Sequence, residues 1–174
     1  MAAHLDTIAT ELGQLGAGLD RSVSKVTEAD QYVQRSIEAA TRGGFTAMIG
    51  NLRAAQDQLR QVRGMLVTAR SDLGQAAASV ASAPKEIKAQ QVVAIVSPLL
   101  PQVDKVRGTL RAVGGQIPQV VQRIAASADQ SPALPILTEV NQQVIAPVIQ
   151  RLDAVHQTAG AALAEAKAAQ ASGG

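Results

Sequence analysis

The strongest constraint on the fold of this chain is a heptad repeat of apolar residues. Alternating steps of three and four residues from Phe45 to Ala83 meet an apolar side chain at every position. A second run with the same spacing starts at Leu5, and only Ser22 and Ser36 interrupt it. A repeat of 3.5 residues places one apolar stripe along an α-helix and makes helices pack through a left-handed supercoil.

This repeat predicts a long antiparallel helical hairpin in the first half of the chain. We expect helices over residues 4–42 and 45–82, joined at Gly43-Gly44, because glycine readily takes the positive φ that ends a helix. So short a link forces the two helices antiparallel. The predicted helix-packing seam consists of Leu5, Ile8, Leu12, Leu15, Leu19, Val26, Val33, Phe45, Met48, Leu52, Leu59, Val62, Leu66, Leu73 and Val80.

Prolines set the second half of the chain apart, since all seven lie beyond residue 83. A proline inside a helix costs about 3 kcal/mol, so most of them should lie in first turns. The pattern Ser-Pro-x-Leu-Pro begins at residues 97 and 131 and predicts helix starts near Pro98 and Pro132. Gly114-Gly115 with Pro118 predicts another break, and Pro147 a kink.

An apolar seam nevertheless runs through these interruptions. Its members are Val92, Val96, Leu99, Val103, Val106, Leu110, Val113, Ile117, Val120 and Ile124. We therefore expect a broken third rod, as one kinked helix or several short ones, and a fourth over Leu137 to Ala166. The predicted fold is all-α, an elongated up-down four-helix bundle. It comprises a coiled-coil-like hairpin at 1–83, a proline-interrupted half at 84–170 packing on it, and a frayed tail at 171–174.

Composition supports this fold class and limits the cellular setting. Aromatic residues make up 1% of the chain, so the core must be built from Leu, Val, Ile and Ala, as in close-packed helices. There is no cysteine, and the N-terminus lacks the basic and apolar regions of a signal peptide. The longest apolar stretch, Val92 to Leu100, is too short to span a bilayer. The expected localisation is cytoplasmic.

The two histidines give the only hint of a metal site. In an up-down bundle the chain ends share one pole, which could bring His4 and Asp6 near Asp153 and His156. The simpler interpretation is two solvated histidines at helix ends. Carboxylate-bridged metal bundles need two Glu-x-x-His motifs, whereas this chain has a single Asp-x-x-His. We predict no metal, no cofactor and no catalytic residues, hence no enzyme.

Four arginines form a stripe beside the seam of the second helix: Arg53, Arg60, Arg63 and Arg70. Such a stripe is a solvated face or a set of cross-helix pairs, here with Asp20, Glu28 or Asp30, or else it contacts an anionic partner. Nucleic acid is disfavoured because no aromatic stacking platform accompanies the arginines. A membrane surface is disfavoured because Trp and Phe anchors are missing.

Glycines at positions 13, 16 and 18 weaken the first helix by about 1 kcal/mol each relative to alanine. Close packing against a neighbouring helix is one explanation, and a hinge is the other. No strand precedes these glycines, so they do not form a phosphate-binding loop.

Residues 1–83 resemble the small helical-hairpin proteins of actinobacteria, of the Trp-x-Gly class associated with type VII secretion. Two long amphipathic helices and the glycine-bearing turn Arg42-Gly43-Gly44-Phe45 carry the resemblance. It implies pairing of hairpins with one another. Export by that route is not supported by a Tyr-x-x-x-Asp/Glu signal, because Tyr32 is followed four residues later by Ser36.

Three classes of function follow. The favoured one is a non-enzymatic interaction or assembly protein, a scaffold or adaptor that forms dimers or packs on a partner helical protein. The first alternative is an amphipathic protein coating a lipid or polymer granule, as phasins do. The second is a ligand-binding helical bundle, which would require polar residues grouped at a pocket.

Overall fold

Six helical segments account for nearly all of residues 2–172, the part of the chain that the computed structural model describes. They are α1 (Ala2–Gly43), α2 (Thr46–Ala81), α3 (Ala89–Ser127), α4 (Ala133–Glu139), a π-helical segment (Val140–Ile145) and α5 (Ala146–Ser172). The last three are continuous, and we refer to residues 133–172 as rod 4. The predicted all-α fold class is confirmed.

The α1–α2 turn is formed at the glycine pair, as predicted. Gly44 has φ of 73°. Its N–H donates to the carbonyl of Thr41 at 3.2 Å, and the Phe45 N–H donates to that of Ala40 at 3.0 Å. These two bonds form a Schellman motif, which satisfies carbonyls at the end of α1 and requires a left-handed residue at the position of Gly44. The local sequence thus determines where the hairpin turns.

Each rod packs against two neighbours. Helix α1 contacts α2 and rod 4, and α3 contacts the same two. The result is an up-down-up-down four-helix bundle in which the second half of the chain closes the predicted hairpin. At 1.5 Å per residue, the 42 residues of α1 span about 63 Å. The bundle is therefore elongated, as predicted.

The heptad positions supply the core. Every predicted seam residue of α1 is buried, as is every predicted seam residue of α2 from Leu52 onward. All ten seam positions of α3 are buried as well. Ser22 is fully buried and donates its hydroxyl to the Gly18 carbonyl at 3.2 Å, so this interruption lies in the core. Near Ser36, Ile37 occupies the core position instead.

Two predicted seam residues are not in the core. Phe45 is 58% exposed, and Met48 is only partly buried. Phe45 precedes the first residue of α2, at the hairpin turn, where its side chain is left largely exposed. Its ring folds back over Gly43 instead, where a Cβ would overlap it. The heptad pattern places Phe45 in line with the core positions of α2 but cannot show that the bundle ends at this residue.

The predicted breaks in the third rod were wrong. Helix α3 continues through Pro98, Pro101 and Pro118, and also through Gly114-Gly115. The three proline side chains are exposed, so their rings face solvent. Three interior prolines cost about 9 kcal/mol together, whereas burying ten aliphatic side chains stabilises by roughly 15–30 kcal/mol. The seam therefore outweighs the prolines.

Rod 4 begins where the second Ser-Pro pattern predicts. The Ser131 hydroxyl accepts a hydrogen bond from the Ala133 N–H at 3.3 Å, which caps the start of α4. The interruption expected at Pro147 occurs just before it, as the π-helical segment. Helix α5 extends to Ser172, beyond the start of the predicted frayed tail, and residues 173–174 lie outside the described part of the chain.

Replacing Leu59 with Asp should disrupt the bundle. Leu59 is fully buried among aliphatic side chains, and an unpaired carboxylate there costs more than the 2–5 kcal/mol typical of truncating a buried leucine. Thermal melting followed by circular dichroism measures the effect. Gln61→Asp is the matched control, because Gln61 lies on the same helix and is exposed. Equal melting temperatures for the two variants would contradict the seam.

The small contribution of the exposed Phe45 ring to the core can be tested by mutation. We expect Phe45→Ala to lower the free energy of unfolding by less than about 1 kcal/mol, since the exposed ring contributes little to the core. Leu52→Ala should cost about 2–5 kcal/mol. Urea denaturation of both variants measures the difference. A larger loss for Phe45→Ala than for Leu52→Ala would show that the ring packs into the core.

Candidate interaction surface

The predicted helix-packing seam is used within the chain, so any site for a partner must lie on the outside of the bundle. Among residues 2–172, only Phe45 and Val67 are large hydrophobic residues with exposed side chains. Polar residues line the four edges where neighbouring rods meet. The pairs formed along these edges determine which charged side chains are already bonded within the bundle and which remain available to a partner.

The edge between α1 and α2 involves part of the predicted arginine stripe. Arg70 Nε lies 3.0 Å from both carboxylate oxygens of Asp20, and the Gln56 amide donates to Gln34 at 3.0 Å. Residue 20 thus lies opposite residue 70, and residue 34 opposite residue 56. The cross-helix pairing predicted for Asp20 is confirmed, and it fixes the antiparallel register.

The other two acidic partners predicted for the stripe do not form such pairs. Glu28 binds Lys25 on its own helix at 3.2 Å. One oxygen of Asp30 is buried without a hydrogen bond, although Arg60 and Arg63 line the same small cavity of about 150 Å³. Asp30 is therefore close to the stripe without being bonded to it.

Three arginines of the stripe remain directed outward. Arg60 lies 3.8 Å from Asp57 on its own helix, and both side chains are largely exposed. Within the part of the chain that the structure describes, no carboxylate lies within 4 Å of Arg53 or Arg63. The stripe therefore divides into Arg70, which helps to hold the bundle together, and Arg53, Arg60 and Arg63, which face solvent.

The α2–α3 edge is held by uncharged pairs and one ion pair. The Asn51 amide donates to the Ser127 hydroxyl at 2.8 Å and to the Arg123 carbonyl at 3.1 Å. Gln58 donates to Gln119 at 3.2 Å. Further along, Lys105 Nζ lies 3.0 Å from a carboxylate oxygen of Asp72. The sequence analysis did not predict this edge, although Asn51, Gln58 and Asp72 are separated by multiples of seven residues beside the seam.

An ionic cluster lies between α3 and α5. Arg107 bridges Asp104 on its own helix at 2.7 Å and Asp153 on α5 at 2.6 Å. Arg111 approaches Asp153 at 3.9 Å, and His156 Nε2 lies 3.4 Å from the second oxygen of Asp104. The Arg107 side chain is only 19% exposed, whereas that of Asp104 is 54% exposed, so the arginine at the centre of the cluster is shielded and its periphery is open to water.

The idea that His4 and His156 lie close together was wrong, because the two imidazoles do not lie at the same end of the bundle. His4 lies 3.7 Å from Glu165, nine residues beyond His156 on α5 and hence about 14 Å further along the helix. His156 and Asp153 belong to the ionic cluster with α3. Helix α5 extends past His156 to Ser172, which moves that histidine away from the end. Residues 2–172 bring together no group of three His, Asp or Glu side chains able to hold a metal.

The glycines of α1 lie against neighbouring side chains, which favours packing over a hinge. A Cβ at Gly16 would lie 3.1 Å from the guanidinium of Arg70, and one at Gly18 would lie 3.5 Å from Val148 on α5. Gly13 faces open space. Gly16 therefore leaves room for the arginine that binds Asp20, and Gly18 lets rod 4 approach α1.

The Arg53 and Arg60 side chains share one side of α2 with small residues. A stripe at alternating steps of three and four residues lies outside the core, and we call it the outer α2 stripe. It comprises Gly50, Arg53, Asp57, Arg60, Gly64, Val67 and Ser71, all of them exposed. This second heptad line, which sequence reasoning did not single out, offers charge, small residues and one exposed valine.

Comparison with known proteins gives no relative. No family model, no curated protein and no solved structure matches this chain. Across residues 2–172, none of the helices combines the length and the hydropathy needed to cross a bilayer.

The Asp20–Arg70 pair should couple energetically. In a double-mutant cycle of Asp20→Ala and Arg70→Ala, we expect a coupling of about 0.2–1 kcal/mol, because both side chains are more than one third exposed. Urea denaturation measures it, and molar salt should reduce it by screening. Arg123→Ala is the control, because its side chain is exposed on α3, and it should change stability by under about 0.5 kcal/mol. No coupling at low salt would contradict a role in setting register.

Proposed function

We propose that this chain is a non-enzymatic helical assembly protein that forms a dimer through the outer α2 stripe. The observation that carries the proposal is the composition of that stripe. Gly50, Gly64 and Ser71 allow another helix to approach closely, and Val67 supplies an exposed apolar contact. Arg53 and Arg60 provide charge on the same side of the helix.

A rigid bundle suits this role. The aliphatic core runs the length of the rods, and polar pairs fix the register along their edges, so the outer surface keeps its shape. Asp57 lies on the same stripe with a largely exposed side chain, so a second copy of α2 would present it to the arginines. A partner helical protein with an acidic face would use the same surface.

The resemblance of residues 1–83 to Trp-x-Gly hairpin proteins implies pairing between hairpins. In this chain the seam of the α1–α2 hairpin is covered by α3 and rod 4. We therefore place intermolecular contact on the outside of the bundle. The granule-coating alternative receives less support, because its aliphatic surface would become available only if the bundle opened.

Light scattering coupled to size exclusion tests the proposal. We expect twice the 17.9 kDa mass of one chain, and small-angle X-ray scattering should show a particle wider than one bundle. Arg60→Glu with Val67→Glu should shift the mass toward that of one chain. Arg123→Glu with Ala126→Glu is the matched control, since both residues are exposed on α3. A monomer at all concentrations, or a dimer equally stable in both double variants, would overturn the proposal.

A further inference from the structure

The heptad spacing of the core changes at one place in rod 4. Its buried aliphatic residues follow steps of three and four, except for one step of five between Val140 and Ile145. That step coincides with the π-helical segment. A π-helical turn is the usual result of one extra residue in an α-helix, and such turns frequently lie at functional sites. The core spacing resumes at Ile145, so the extra residue alters only the surface of rod 4 at this point.

Backbone hydrogen bonding is irregular both in rod 4 at this segment and in the neighbouring helix α3. In rod 4 the Ala146 N–H donates to the carbonyl of Asn141, five residues back, and Pro147 has no N–H to donate. On α3, Pro118 likewise lacks the N–H that would bond the carbonyl of Gly114 in a regular helix. A Cβ at Gly114 would lie 3.4 Å from the side-chain oxygen of Asn141. The two rods are thus close together at Gly114.

Beside this contact the surface opens into a cleft of about 270 Å³. Its lining comprises Ile117, Pro118, Val121 and Gln122 from α3, with Thr138, Asn141 and Gln142 from rod 4. The α3 side is mainly apolar, and the rod 4 side is polar. None of the lining side chains carries a charge. The volume is close to the lower end of ligand pockets, which start near 300 Å³, so a single ring suits it.

The amides of this cleft do not pair with another part of the protein that the structure describes. On the α1–α2 and α2–α3 edges, by contrast, Gln34 bonds to Gln56 and Gln58 to Gln119. Within residues 2–172 the side chains of Gln122, Asn141 and Gln142 make no hydrogen bond to the protein. Together they offer N–H donors and carbonyl acceptors next to an apolar wall.

We infer that this cleft is a binding site for a small uncharged molecule of the cyclic amide class. Such a ring carries a donor and an acceptor side by side, which matches a primary amide, and its apolar face fits Ile117 and Val121. An ion is a poor match, because it would lose hydration with no opposite charge among the lining residues. This inference is independent of the outer α2 stripe, which lies on a different helix.

Nuclear magnetic resonance titration of the ¹⁵N-labelled full chain tests this site, with 2-pyridone as the probe. We expect saturable amide shift changes confined to residues near Ile117 to Gln122 and Thr138 to Gln142. Benzoate and benzylamine are the charged comparisons, and they should leave these resonances unchanged. No saturable change with 2-pyridone, or equal changes with the charged rings, would overturn the inference.

A pair of variants assigns the binding to the cleft. Asn141→Ala with Gln142→Ala should weaken 2-pyridone binding by about tenfold, as expected when hydrogen bonds to a ligand are lost. Gln143→Ala with Gln150→Ala is the matched control: both residues are exposed amides of rod 4 outside the cleft. Melting by circular dichroism should be the same for both. Unchanged affinity in the first variant, or an equal loss in the control, would contradict the assignment.

Discussion

The rest of the structure depends on the burial of aliphatic side chains at heptad spacing. Leucine, isoleucine, valine and alanine fill the space between four rods with no aromatic ring in the fully buried core. Such small side chains pack well only if the helices approach closely and remain in register. Glycines at two positions of α1 meet that need, because side chains from α2 and α5 lie directly over them. The seam therefore requires each rod to lie close to its neighbours.

Burial alone does not define register, since a sliding aliphatic stripe would lose little contact. Pairs along the edges supply the missing specificity. Asp20 with Arg70 and Gln34 with Gln56 set the first hairpin, and Arg107 with Asp153 sets α3 against α5. Each exposed pair contributes little stability, but a shift by one turn would break all of them at once. Their main effect is to select one arrangement among several similarly buried ones.

The prolines show the balance between burial of the seam residues and the regular hydrogen bonding of the helix backbone. In α3 the seam prevails, and three prolines lie in one unbroken helix with their rings in solvent. In rod 4 the backbone deviates, and a π-helical turn precedes Pro147. Because the core resumes its spacing at Ile145, the extra residue changes only the local surface. That surface holds the cleft between α3 and rod 4, where three amides have no protein partner.

The sequence by itself determined the fold class, the hairpin turn at Gly44 and nearly all core positions, because heptad spacing and glycine's positive φ are local properties. It also identified the arginine stripe and one cross-helix partner, Asp20. Only the tertiary structure decided that Phe45 lies outside the core, that α3 is continuous, and that His4 and His156 are far apart. These depend on where the rods end and how much burial opposes each proline, which no single segment encodes. The cleft and the outer α2 stripe likewise emerge only once neighbouring rods have covered the other faces.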